Sequence, residues 1–92
     1  MTNNIRKKLA NDLEKMLNEK ITEAEVYNRY LTNKEYIDIT ANLDHYFSDE
    51  DFRKESPKYK QMQENELKKF IKLLRNQGTI KELNDISFLE SS

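Results

Sequence analysis

Ser56-Pro57-Lys58-Tyr59-Lys60-Gln61-Met62-Gln63-Glu64-Asn65-Glu66-Leu67-Lys68-Lys69-Phe70-Ile71-Lys72-Leu73-Leu74-Arg75-Asn76-Gln77-Gly78 is the longest periodic stretch of the chain. Ser56 is an N-cap residue type. Pro57 follows at the first helical position, where a missing N–H costs nothing because that N–H has no partner inside a helix. Tyr59, Met62, Leu67, Phe70, Ile71 and Leu74 recur at helical spacing and form one apolar face. Gly78 stands where the residue beyond a helix end adopts the left-handed conformation. The spacing predicts a helix from Pro57 to about Asn76.

The flanking sequence reads the same way. Ile5, Leu9, Leu13, Met16 and Leu17 trace a helical stripe over 3–19, with Thr2 or Asn3 as its cap. Thr22-Glu23-Ala24-Glu25 is a capping box, and Ile21 and Val26 are placed as a hydrophobic staple. Val26, Tyr27, Tyr30 and Leu31 are the expected buried face of that second helix, which should end near Thr32 or Asn33. A third helix is expected over 34–47, with Tyr36, Ile39, Leu43 and Phe47 in one stripe and Ile37 and Tyr46 beside it. Ser48-Asp49-Glu50-Asp51 reads as a further N-cap with acids in the first turn, opening a short helical turn over 49–54. Thr79-Ile80-Lys81-Glu82 is a second capping box. It opens a short terminal helix, after which Ile86, Phe88 and Leu89 fold back onto the body. The last three residues, Glu90-Ser91-Ser92, should fray. The expectation is one all-α domain over 1–92: an antiparallel four-helix bundle with a short C-terminal helical addition.

Composition narrows the chemistry. The 92 residues include no Cys, one Gly, one Pro and one His. That excludes a disulfide framework, a thiolate nucleophile and a Cys-ligated zinc site. One Gly is too few for a phosphate-cradling loop. The basic N-terminus is not followed by an apolar stretch, so no secretory signal is read. No apolar run approaches the roughly 20 residues of a membrane span. A cytoplasmic setting is expected, with no membrane partner.

Charge is uneven along the chain. Residues 35–55 hold seven acids and two bases, whereas 56–75 hold six bases and two acids. Two readings follow. Either the acidic segment and the last long helix neutralise each other within the chain, or the acidic segment faces a basic partner, which its field would steer. On the second reading Asp38, Asp44, Asp49, Glu50, Asp51 and Glu55 contact the partner, together with Tyr46, because exposed Tyr beside acids is typical of interfaces. Tyr27, Tyr30 and Tyr36 are further candidates for the rim.

Catalytic and metal-binding arrangements are not met. His45 has Asp44 beside it in sequence, but neighbouring residues do not face each other on a helix. A calcium loop starting at Asp49 fails where Arg53 and Lys54 replace an oxygen ligand and the glycine. No enzyme activity, metal or cofactor is expected. Lys68, Lys72 and Arg75 can share one face with Lys69, Lys58 and Lys60 nearby. This gives an alternative, a small nucleic-acid-associated regulator. A third reading is a structural or adaptor protein that forms a homodimer through aromatic helix faces.

Residues 17–27, Leu17-Asn18-Glu19-Lys20-Ile21-Thr22-Glu23-Ala24-Glu25-Val26-Tyr27, resemble the helix–hinge–helix opening of colicin-like immunity proteins. The run Asp44-His45-Tyr46-Phe47-Ser48-Asp49-Glu50-Asp51-Phe52-Arg53, followed by Glu66-Leu67-Lys68-Lys69-Phe70-Ile71, is similar to the family's later helices. The resemblance covers about half of the chain. It implies a small bacterial cytosolic helical bundle that binds the toxic nuclease domain made by the same cell and blocks its basic cleft with acidic side chains. Carried over, Asp49, Glu50 and Asp51 would be the first contacts, then Asp38 and Asp44.

Overall fold

The computed structural model describes the backbone of residues 2–88 and the side chains of 5–88. The expected cap at Thr2 or Asn3 and the docking of Leu89 lie outside these residues, as does the fraying of 90–92. Every regular element of the described chain is helical: α1 (Thr2–Leu17), α2 (Glu23–Val26) continuing into a π-turn (Tyr27–Leu31), a 3-10 turn (Lys34–Tyr36), α3 (Ile37–Thr40), α4 (Leu43–Ser48), α5 (Glu50–Glu55), α6 (Pro57–Arg75) and α7 (Ile80–Asp85).

Two long helices carry the body. α1 runs antiparallel along α6, with Arg6 near one end of the pair donating to the Gly78 carbonyl at 2.7 Å. Further along, Arg75 holds Glu14, and Leu17 shares a cleft with Lys68 and Ile71. Leu9, Leu13 and Met16 from α1 meet Leu67, Phe70 and Leu74 from α6 in the core. Val26, Tyr30, Leu43, Tyr46, Leu83 and Phe88 complete it. Ile86 packs on this core and Phe88 is 1% exposed, so the tail does fold back.

Three of the local start signals operate as read; the fourth does not, since Ser48 ends α4 and Asp49 precedes α5 without a side-chain cap. Thr22 and Glu25 form a reciprocal capping box, as do Thr79 and Glu82. The Ser56 hydroxyl accepts from the Tyr59 amide at 3.2 Å, with Pro57 at the first position.

The stretch 34–47 is not one helix. It begins as a 3-10 turn capped by the Asn33 side chain, continues as one turn of α3, and breaks at Ala41-Asn42 before α4. Asn42 leads α4 without capping it. Its side-chain amide instead donates to the Leu83 and Ile86 carbonyls at 2.8 and 2.7 Å, tying the break to the end of α7. Thr40 donates back to the Tyr36 carbonyl, a bond that bends helices. The π-turn alters the second helix similarly. Tyr30 is turned inward onto Asp12 at 2.7 Å, while Tyr27, expected in the buried face, stays 39% exposed. Ile37 is also on the surface.

The end of α6 departs from expectation in an instructive way. Gly78 is not the left-handed residue; Gln77 is, with φ 58°. The Gly78 amide donates to the Leu73 carbonyl at 2.7 Å, which makes Gly78 the second residue past the cap in a Schellman motif. Glycine is needed there for room: a Cβ would lie 2.9 Å from Leu73 Cδ2 and 3.2 Å from the Leu73 carbonyl oxygen. The end of α1 repeats the motif, with Glu19 at φ 61° and the Lys20 amide on the Lys15 carbonyl. A side chain in the left-handed region is unfavourable by about 1–2 kcal/mol, partly offset by the greater chain entropy of glycine. Glu19→Gly and Gln77→Gly should therefore each stabilise the fold by about 0.5–1 kcal/mol in urea denaturation. Gly78→Ala should destabilise it.

Candidate protein-binding face

The acidic segment divides into an inward and an outward part. The inward part centres on Arg53, which is 5% exposed although it lies in the polar helix α5. Its guanidinium lies 3.8 Å over the Tyr46 ring. It donates to the Tyr46 carbonyl, to Gln63 Oε1 at 2.8 Å, and to the Glu23 carboxylate. Gln63, fully buried, passes the network on: its amide donates to Asp49 Oδ2 at 3.0 Å and to the Phe88 carbonyl at 2.8 Å. Tyr59 donates its hydroxyl to the same Asp49 oxygen at 2.7 Å. α2, α4, α5, α6 and the tail are thereby joined through one polar cluster. Among the described residues no buried side-chain polar atom is left unsatisfied.

Two expected partner contacts are therefore placed elsewhere. Tyr46 is 2% exposed, packed edge-on against Phe47 and Phe88 with Arg53 over its face, so it does not reach the rim. Burial pushes its hydroxyl up to about 12, which keeps it neutral. Asp49 is half-buried and its carboxylate is occupied by Tyr59 and Gln63. It stands at the N-cap of α5 without capping it, because the network holds its side chain.

Burial pushes the Glu23 carboxyl above its ordinary range, opposed by the hydrogen bond and charge of Arg53 and reinforced by Glu50. For an acid whose folded pKa is raised, the folded state holds the proton more tightly, so its contribution to stability grows as pH falls. Relative to Glu23→Gln, the wild-type chain should gain stability on acidification from neutrality through the raised pKa towards the unfolded value of about 4.3. An ordinary surface ion pair would weaken over that window. Denaturation of the two proteins across pH measures the sign.

The outward part is a groove of about 340 Å³ between α2 with its π-turn on one side and α4 and α5 on the other. Glu23, Asp44 and Glu50 line it together with Tyr27 and Phe47, and no Lys or Arg does. The Tyr27 and Phe47 rings meet edge to face at 6.0 Å. Glu50 has a loose contact to Lys54 at 3.8 Å, and Asp44 has no ion pair among the described residues. Asp51 and Glu55 are exposed on α5 outside the groove lining, and Asp38 is exposed on α3 beside a separate cleft near Ile39 and Ile80. Glu23 shares the groove with Asp44 and Glu50 without having been expected there, whereas Tyr27, a candidate for the rim, does reach it and Tyr30, the other candidate on that helix, is buried. The π-turn that brings Tyr27 out has no sequence signal.

The charge question has a geometric answer. Among the described residues, no ion pair joins an acid of 35–55 to a base of α6. Arg75 turns to Glu14 on α1, and Lys69 pairs within α6 with Glu66. Among the described residues the one ion pair made by an acid of 35–55 is Glu50 with Lys54 of its own α5. Lys60 of α6 lines a cleft with Glu50 without pairing with it.

His45 is exposed on α4. Among the described residues no three His, Asp or Glu side chains are grouped to hold a metal ion. No helix there is long and apolar enough to cross a membrane. Compared with family models, curated proteins and solved structures, the chain finds no match.

Proposed function

We propose that this chain is a non-enzymatic protein-binding module. In its most specific form it is a cytoplasmic bacterial immunity protein that neutralises a basic, nuclease-type toxin domain through its acidic face. The observation that carries the reading is the groove lined by Glu23, Asp44 and Glu50 together with Tyr27 and Phe47, with no cation in its lining. A Lys or Arg side chain of a partner would find ring faces for cation–π contact and carboxylates for charge-assisted hydrogen bonds. The unneutralised acids Asp38, Asp51 and Glu55 extend the negative field around it and would raise the encounter rate with a cationic surface.

The fold is read with it as a four-membered helical bundle, α1, α2 with its π-turn, the 34–55 arm and α6, whose third member is broken. The Arg53 network gives that arm a rigid backing, so the groove is formed before a partner arrives and little ordering cost is left for binding. The nucleic-acid alternative is weaker on the same geometry. Of the four cations near the end of α6, Arg75 and Lys69 are already engaged by carboxylates.

Co-expression tests the reading. A basic toxin domain should be encoded beside the gene, and the chain should restore growth to cells making that domain. Asp44→Lys with Glu50→Lys should abolish the rescue while leaving the purified chain folded. Rescue that survives the charge reversal, or no rescue by the wild-type chain, overturns it.

A further inference from the structure

A second surface lies between α1 and α6, away from the acidic groove. It is a cleft of about 390 Å³ with a mostly apolar wall, lined by Leu17 and Ile71 and rimmed by Lys68 and Lys72. Glu14 and Arg75 at its edge neutralise each other. Lys68 and Lys72 are exposed and have no ion pair among the described residues.

Its complement is on the same molecule. Phe52 on α5 is 61% exposed, a large apolar side chain touching its own chain edge-on at Tyr59. Asp51 and Glu55 stand one turn apart on the edge of α5 beside it, both exposed and both without an ion pair among the described residues. An apolar knob beside two carboxylates one turn apart thus accompanies an apolar cleft beside two lysines one turn apart. They cannot meet within one chain. Phe52 packs at Tyr59, near the start of α6, and Ile71 lies about 18 Å further along that helix at 1.5 Å per residue.

We infer that the chain self-associates head to tail, the Asp51–Phe52–Glu55 edge of one copy seating in the Leu17–Ile71 cleft of the next, its two carboxylates against Lys68 and Lys72. Burial of Phe52 supplies the driving force, and the four charges set the register. A net charge of -1 leaves little overall repulsion between copies. The contact joins two different patches, so it propagates beyond a dimer unless the rotation closes a ring. It uses neither Asp44 nor Glu23, so growth rescue and self-association can fail independently.

Sedimentation of the full chain decides it. The weight-average mass should rise above the 11.1 kDa monomer with concentration, and rise less steeply at about 1 M salt, where the Debye length is about 3 Å and the charge contacts are screened. Phe52→Ser, and separately Lys68→Glu with Lys72→Glu, should each weaken association about tenfold or more. All these positions are exposed, and unchanged circular dichroism checks that the variants fold. The decisive arm mixes the two variants. Each keeps one intact patch, so the mixture should form a dimer at twice the monomer mass and stop there. A wild-type chain that stays monomeric at all concentrations overturns the inference, as does association indifferent to either variant or a mixture that remains monomeric. A monomeric chain that binds polyglutamate at Lys68 and Lys72 would assign the cleft to a foreign acidic segment and overturn it equally.

Discussion

Arg53→Ala is expected to destabilise the chain by about 3–5 kcal/mol, because it breaks a buried charge pair and strands its partners. The Tyr46 carbonyl and Gln63 Oε1 each lose a donor, and Glu23 is left half-buried with a charge that burial already disfavours. A domain of this size has a total stability of about 5–15 kcal/mol, so the variant should be measurably unfolded at moderate temperature. Glu23→Gln should cost much less. It keeps an acceptor for the guanidinium and removes a carboxylate whose desolvation opposes folding, and Arg53 retains Gln63, the Tyr46 carbonyl and the Tyr46 ring. Urea denaturation of both variants measures the asymmetry. Equal losses would mean that the ion pair, and not the guanidinium's whole set of partners, holds the arm.

The second large effect concerns the tail. Phe88→Ala should cost about 3–5 kcal/mol, the range for truncating a buried aromatic. The Phe88 ring meets Tyr46 at 5.8 Å and Phe70 at 5.9 Å, so its removal opens a cavity where α4 and α6 face each other. Ending the chain after Asp85 should cost at least as much, since it also removes the Phe88 carbonyl from Gln63 and the Ile86 carbonyl from Asn42. Calorimetric melting compares the two. A truncated chain that melts like the wild type would show that the last residues contribute nothing to the core.

These two residues mark how far the sequence could be read. Helix starts were legible because a cap is a local event: Thr22 needs only Glu25, Thr79 only Glu82, and Ser56 only the amide of Tyr59. The apolar stripe of α6 was legible for the same reason. The stripe held a further clue in Gln63, which lies four residues from both Tyr59 and Leu67 and is fully buried between them. Arg53 offered no such clue. Its partners are 7, 10 and 30 residues away, and the one apolar residue of its own helix, Phe52, is exposed. The break at Ala41-Asn42 was hidden likewise, because the carbonyls that engage Asn42 lie 41 and 44 residues downstream. Tyr46 was misplaced because an aromatic beside acids looks the same in sequence whether it faces solvent or lies under a guanidinium. Of the expected contact residues, the structure brings Asp44 and Glu50 together at one groove, gives Asp49 and Tyr46 to the core network, and leaves Asp38, Asp51 and Glu55 exposed elsewhere.

The account rests on the acidic groove being a recognition site for a basic protein, and a calorimetric titration tests that most directly. The purified chain is titrated with a basic toxin domain whose killing it relieves on co-expression, at low salt and again at about 1 M. Tight binding that weakens steeply with salt is predicted, with a loss of about 100-fold or more on Asp44→Lys with Glu50→Lys, since like charges across an interface cost several kcal/mol. Binding of the charge-reversed variant at wild-type affinity, or salt-independent binding, would contradict it.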